Sequence, residues 1–65
     1  MLRVEHERKK RGWTKSEVSY RAKIALPNYS RLERKKREPF KPELERLSDV
    51  FGISAAELMM EMEEA

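Results

Sequence analysis

The chain has 65 residues, of which 42% are charged, and a net charge of +3. This length allows at most one domain with a modest core, and the absence of cysteine together with a single histidine excludes disulfides and argues against a metal site. No apolar run reaches the roughly 18 residues of a membrane span, and no signal-peptide stretch opens the chain, so we expect a cytoplasmic protein without metal or cofactor.

The charges are unevenly divided along the chain. Residues 1–37 contain 13 Lys/Arg and 4 Asp/Glu, whereas residues 38–65 contain 2 Lys/Arg and 8 Asp/Glu. A basic half joined to an acidic half indicates a surface that meets a polyanion such as nucleic acid. The alternative, that these charges only solvate exposed helix faces, stays open on charge alone.

Signals for helix ends recur along the chain, whereas strand-like alternation of apolar and polar residues is almost absent. The first helix is predicted over residues 2–11, because Gly12 follows it where a left-handed residue is preferred. The second is predicted over residues 15–22, because Thr14 and Glu17 have the spacing of a capping box. Its inward positions are Val18, Ser19 and Ala22.

A third helix is predicted over residues 26–35. Pro27 suits its first turn, where the missing N–H costs nothing. Tyr29 and Leu32, three residues apart, mark its buried face. Two short helices joined by a turn of three or four residues are typical of a helix-turn-helix motif, here formed by the second and third helices.

The acidic half predicts two more helices. Pro42 opens a fourth over residues 42–51, and a second capping box, Ser54 with Glu57, opens a fifth over residues 55–62. The inner stripe of the fourth helix is Leu44, Leu47, Val50 and Phe51. The predicted fold class is therefore all-α, with five helices in one domain over residues 1–65.

A set of residues at characteristic spacings runs through about four fifths of the chain. In chain order it is Arg8-Lys9-Lys10-Arg11-Gly12-Trp13-Thr14, Val18, Ala22, Ile24, Ser30-Arg31-Leu32-Glu33-Arg34, Pro39, Leu44, Leu47, Phe51-Gly52-Ile53-Ser54 and Glu57-Leu58. This set resembles the lambda-repressor-like (xenobiotic-response-element type) helix-turn-helix DNA-binding family. The resemblance implies a small transcriptional regulator, most often a repressor, that binds specific double-stranded DNA sequences with its third helix in the major groove.

The resemblance also implies which residues meet DNA. Arg31 is the strongest candidate for reading a base, because its guanidinium can bind O6 and N7 of guanine. The full base-facing set is Leu26, Pro27, Asn28 and Arg31. Phosphate contacts are expected at the start of the second helix and in the basic run after the third, from Thr14, Lys15, Arg34, Lys36 and Arg37.

Within the scaffold, Arg8 and Glu33 match the family's ion pair between the first and third helices. The chain departs from the family at three turn positions. Lys23 and Lys35 stand where glycine is usual, and Ala25 stands where Ser or Thr usually caps the third helix. A left-handed lysine costs roughly 1 kcal/mol and a missing cap about 0.5–2 kcal/mol.

Enzyme activity and protein interaction are the two alternatives to DNA binding for a chain of this kind. We expect no enzyme activity, because the sequence has no glycine-rich phosphate loop and no nucleophile with a visible base partner. A protein-interaction module, or an antitoxin-like partner, could reuse the same scaffold. We also expect a homodimer, with fifth-helix residues as its candidate contact surface, and neither a membrane partner nor a small-molecule effector. The candidate dimer residues are Leu58, Met59, Met60 and Met62.

Overall fold

The computed structural model describes residues 1–63, which fold into five α-helices. In chain order these are α1 (Arg3–Lys10), α2 (Lys15–Ala22), α3 (Leu26–Glu33), α4 (Lys41–Phe51) and α5 (Ala55–Leu58). Within residues 1–63 there is no strand, only an isolated antiparallel bridge between Leu2 and Glu61. In the same range, no helix has the length and apolarity needed to cross a membrane. The predicted all-α class with five helices is confirmed.

The helix boundaries agree with the sequence predictions except at the end of the chain. The predicted bounds of α2 are correct, and those of α1, α3 and α4 differ by at most two residues at either end. The fifth helix was predicted to reach residue 62 but ends at Leu58. The segment after it pairs with the N-terminal segment instead: Arg3 N donates to Met60 O at 2.8 Å and Met62 N to Met1 O at 2.7 Å. Met62 N, which a helix extended to residue 62 would pair with Leu58 O, is thus satisfied by a tertiary bond.

The core lies where all five helices meet. Its buried apolar residues are Leu2, Val4, Val18, Ala22, Ile24, Tyr29, Leu32, Leu47, Phe51 and Leu58. Leu44 and Val50, predicted to face inward from α4, are only half-buried. The full burial of Leu58 corrects one expectation, because a side chain with no exposed area cannot form part of a dimer surface.

The helix caps follow the sequence signals only in part. The capping box of α2 is complete: Glu17 N donates to Thr14 Oγ1 at 3.1 Å, and Thr14 N donates to Glu17 Oε1 at 3.3 Å. At α5, Glu57 N donates to Ser54 Oγ at 3.3 Å, but the Glu57 carboxylate lies 3.7 Å from the guanidinium of Arg3 instead of returning to the cap. The second box is therefore half formed.

Both lysines that replace glycines of the family have left-handed backbone, with φ of 55° at Lys23 and 61° at Lys35. The turn after α2 requires this conformation, because it lets Ile24 N donate back to Ser19 O at 2.9 Å. Beyond the backbone, the Lys35 side chain forms an ion pair with Glu61. Both turns thus adopt the left-handed geometry although a side chain is present where glycine is usual.

Candidate nucleic-acid interface

The inner side of α3 is fixed by a buried ion pair. Arg8 Nε donates to Glu33 Oε2 at 2.7 Å and Arg8 Nη2 to Glu33 Oε1 at 3.1 Å, in the bidentate geometry that suits a guanidinium and a carboxylate. The two side chains are 10% and 1% exposed. Hydrogen bonding to Glu33 raises the pKa of Arg8. Arg8 Nη1 also donates to Trp13 O at 2.9 Å, so one side chain joins α1, α3 and the segment that leads into α2.

Tyr29 lies on the same inner side of α3, and its hydroxyl is buried without a hydrogen-bond partner among the described residues. The residue is fully buried. Burial, and then the nearby Glu33 carboxylate, raise the pKa of Tyr29 far above its usual range, so the group stays neutral. A buried polar group without a partner costs about 1–3 kcal/mol. We expect Tyr29→Phe to maintain or increase the free energy of unfolding in urea; a clear loss would reveal a hydrogen bond.

The outer side of α3 presents the predicted base-facing residues. Leu26 is 43% exposed, Pro27 and Arg31 are exposed, and Asn28 is half-buried. Arg31 Nη1 donates to Asn28 Oδ1 at 3.2 Å, one helical turn earlier. Asn28 therefore orients the guanidinium that the sequence singles out for reading guanine.

The start of α2 offers a different kind of contact. The hydroxyl and backbone N–H of Thr14 are both engaged with Glu17, so they cap the helix. The first-turn N–H groups of Lys15 and Ser16 have no acceptor within the helix, and the helix dipole is positive at this end. An anion at this end would meet these groups and the Lys15 ammonium more readily than the Thr14 hydroxyl.

The basic run after α3 is divided between the surface and the scaffold. Arg34 and Lys36 are exposed and form no ion pair with any residue that the structure describes. Arg37 instead donates to both carboxylate oxygens of Glu43, at 2.9 and 3.1 Å, and stacks over the Phe40 ring at 4.7 Å. The Arg37 guanidinium thus fastens the loop to α4. The sequence analysis missed Glu43. Its position in the first turn of α4, where acidic residues are favoured, was the available sign of a structural role.

The Arg37–Glu43 pair makes stability depend on pH. Hydrogen bonds from Arg37 lower the pKa of Glu43 against the opposing effect of burial, and the Phe40 N–H, 2.9 Å away, lowers it further. A carboxyl whose pKa is lower in the folded state stabilises the protein above its unfolded pKa of about 4.3, and this stabilisation is lost as the pH falls through the folded value.

We therefore expect the free energy of unfolding to fall less between about pH 5 and pH 3 in Glu43→Gln than in the wild type. Urea denaturation at several pH values measures this difference. Glu38→Gln, which removes an exposed carboxyl from the loop that precedes α4, should keep the wild-type dependence of the free energy of unfolding on pH. The prediction would be contradicted if the free energy of unfolding fell equally with pH in Glu43→Gln and in the wild type.

The chain is similar to known helix-turn-helix proteins in both sequence and structure. A model of the helix-turn-helix family matches residues 4–58, a range that includes α2, the turn at Lys23 and α3. Among solved structures, the N-terminal DNA-binding domain of SinR from Bacillus subtilis is similar, with 32% sequence identity and a TM-score of 0.81. The similarity covers 95% of this chain and 91% of that one. No curated protein sequence matches the chain significantly.

Proposed function

The chain belongs to the helix-turn-helix family, of the lambda-repressor-like kind, and from that premise we propose that it is a transcriptional repressor that binds specific sequences of double-stranded DNA. The observation that carries this proposal is the division of α3 into two sides. Its inner side is tied to α1 by the buried Arg8–Glu33 pair, while its outer side presents Arg31 to solvent. The similar SinR domain is a DNA-binding domain.

In the proposed complex the first two turns of α3 lie in the major groove. Arg31, held by Asn28, binds O6 and N7 of a guanine, the contact that discriminates best among base pairs. Leu26 and Pro27 have no hydrogen-bonding side-chain groups and contact a thymine methyl. Specificity therefore rests on few contacts, and Arg31 makes the largest of them.

Phosphates bind on both sides of the groove in this proposal. Lys15 and the free N–H groups at the start of α2 hold one phosphate. Arg34 and Lys36, which have no carboxylate partner among the described residues, bind phosphates beyond the C-terminal end of α3. Thr14 and Arg37 act indirectly, by capping α2 and by fastening the loop.

We further propose that the DNA-bound protein is a homodimer. One α3 reads only a few base pairs, and a two-fold pair of domains reads a palindrome. Met60 is 58% exposed, and Met59 and Met62 are half-buried beside it, so these three methionines are the candidates for a shared apolar surface. A non-catalytic regulator of this kind works in the cytoplasm on DNA alone, without a small-molecule effector.

The experiment that tests DNA binding selects duplexes from a random pool and measures the dissociation constant at several salt concentrations. Each phosphate contact adds about −0.9 to the slope of log K against log salt. The Arg34→Ala/Lys36→Ala variant should therefore bind more weakly to all duplexes and lose about two units of slope. Lys10→Ala removes an exposed cation from α1 and should leave the slope unchanged.

If no duplex binds even at low salt, the DNA-binding proposal is wrong. The scaffold would then serve as a protein-interaction or antitoxin-like module. If a duplex does bind, sedimentation of the protein with a selected palindrome measures how many chains bind each duplex. One chain per palindrome at saturation would contradict the homodimer.

A further inference from the structure

The turn between α2 and α3 is held by a side chain from α4. Arg46 Nε donates to the carbonyl of Ala22, the last residue of α2, at 2.7 Å, and Arg46 Nη2 lies 3.5 Å from the carbonyl of Lys23. Arg46 is half-buried, and it precedes the fully buried Leu47. The guanidinium is therefore presented to the turn from a helix that is anchored in the core.

The carbonyls that Arg46 contacts belong to a helix end that lacks internal donors. The last carbonyls of an α-helix have no N–H partner within the helix. After α2, Lys23 N donates to Tyr20 O and Ile24 N to Ser19 O, so neither of these donors reaches Ala22 O. A cation at this position also interacts favourably with the negative end of the helix dipole, and a charged donor makes a stronger hydrogen bond than a neutral one.

Ile24 anchors the turn in the core, but the cap of α3 lacks the side-chain bond that usually fixes the first turn of a helix. The cap position is Ala25, which has no side-chain hydrogen bond, and the left-handed position is occupied by Lys23 rather than by glycine. The other end of α3 is tied to α1 through Glu33. The direction of the α3 axis depends on how both of its ends are held. Near its N-terminal end, Arg46 supplies the hydrogen bonds from α4 to the preceding turn.

We infer that Arg46 is a positioning residue for DNA reading: by holding the carbonyls of the α2–α3 turn, it sets the direction in which α3 enters the groove. The inference rests on the proposed function, because it assigns a role in reading rather than in folding alone. Loss of the Arg46 guanidinium should therefore weaken the base contacts of Arg31 more than the phosphate contacts. Base contacts need a defined geometry, whereas phosphate contacts tolerate small displacements.

The test compares Arg46→Met with the wild type on a selected duplex and on an unrelated duplex. We expect the dissociation constant on the unrelated duplex, divided by that on the selected duplex, to fall about tenfold, because a displaced Arg31 loses discrimination of the size of one bidentate base contact. Binding to the unrelated duplex should change no more than in Lys10→Met, which removes the same charge from an exposed site on α1. Arg46→Lys keeps a donor of the same charge and should recover part of the ratio.

Two outcomes would overturn the inference. Equal weakening on both duplexes, beyond that of Lys10→Met, would mean that Arg46 binds a phosphate directly. An unchanged ratio in a folded Arg46→Met protein would mean that the turn keeps its geometry without the guanidinium. Arg46→Met/Lys23→Gly serves where the single variant unfolds, because glycine adopts the left-handed conformation without strain.

A measurement without DNA separates this inference from the proposed function. Residual dipolar couplings of the free protein give the angle between α2 and α3, and we expect this angle to shift or broaden in Arg46→Met and to stay fixed in Lys10→Met. If the wild type binds no duplex, the proposed function fails, whereas the angle still decides whether Arg46 positions α3. If the wild type binds and the angle is unchanged, only the inference about Arg46 fails.

Discussion

Glu33→Ala is expected to unfold most of the protein. The substitution leaves the Arg8 guanidinium buried opposite an alanine, and removing one partner of a buried ion pair costs about 3–5 kcal/mol. A core of this size supplies a net stability of about the same magnitude. Thermal and urea denaturation followed by circular dichroism should therefore show a folded fraction that is small at 25 °C and recovers on binding to a selected duplex.

The matched control removes both charges. Arg8→Met/Glu33→Leu replaces the pair with apolar side chains, a change that is often neutral because it also removes the cost of burying the ions. It leaves Trp13 O without its donor from Arg8, so we expect most, but not all, of the loss to be recovered. A single-variant loss below about 1 kcal/mol, typical of an exposed ion pair, would contradict the burial of this one.

Features that depend on neighbouring residues were predictable from the sequence. The capping box of Thr14 and Glu17 uses backbone groups three residues apart, so its spacing predicts it directly. The left-handed backbone at Lys23 and Lys35 is consistent with the glycines that the family usually has there, but the sequence alone left this conformation open. The buried pair of Arg8 and Glu33 was implied by the resemblance, and spacing alone could not have found it.

Features that depend on distant partners were not predictable in this way. The chain has 15 Lys/Arg and 12 Asp/Glu, so the sequence offers many possible pairings for any one charge. The choice of Glu43 by Arg37, and of a backbone carbonyl by Arg46, depends on how α4 packs. The early end of α5 has the same origin, because bonds from Arg3 and its neighbours compete with the helix.

Only half of the basic run at residues 34–37 is available to DNA phosphates, and this changes how the proposed interface is expected to work. Four consecutive cations suggest an even electrostatic surface, but only Arg34 and Lys36 have side chains without carboxylate partners among the described residues. If the proposed interface makes few phosphate contacts, we expect non-specific affinity to be modest and the base contacts to contribute a larger share of binding. The consequence is that a single base-reading residue should be easy to detect by substitution.

Arg31→Ala is accordingly expected to lose most of the discrimination at one guanine position. A good bidentate contact is worth about 1–3 kcal/mol of discrimination, so the preference for the selected base pair over the other three should fall roughly 5- to 150-fold. Arg31→Lys should keep part of the affinity, because its ammonium still meets guanine, but should recognise it less selectively. Binding to duplexes in which each position of the selected site is changed in turn measures this loss and locates it.

The matched control for Arg31→Ala is Arg34→Ala, which removes the same charge three residues later. It should weaken binding to every duplex by a similar factor and reduce the salt slope by about one unit, while keeping the base preferences. Asn28→Ala frees the Arg31 guanidinium from its neighbour and should give a partial loss at the same position as Arg31→Ala, because only the orientation is disturbed. If Arg31→Ala and Arg34→Ala behave alike, Arg31 contacts a phosphate and the base-reading role passes to another residue of α3. A loss in Asn28→Ala at a different base pair would mean that Asn28 reads a base itself.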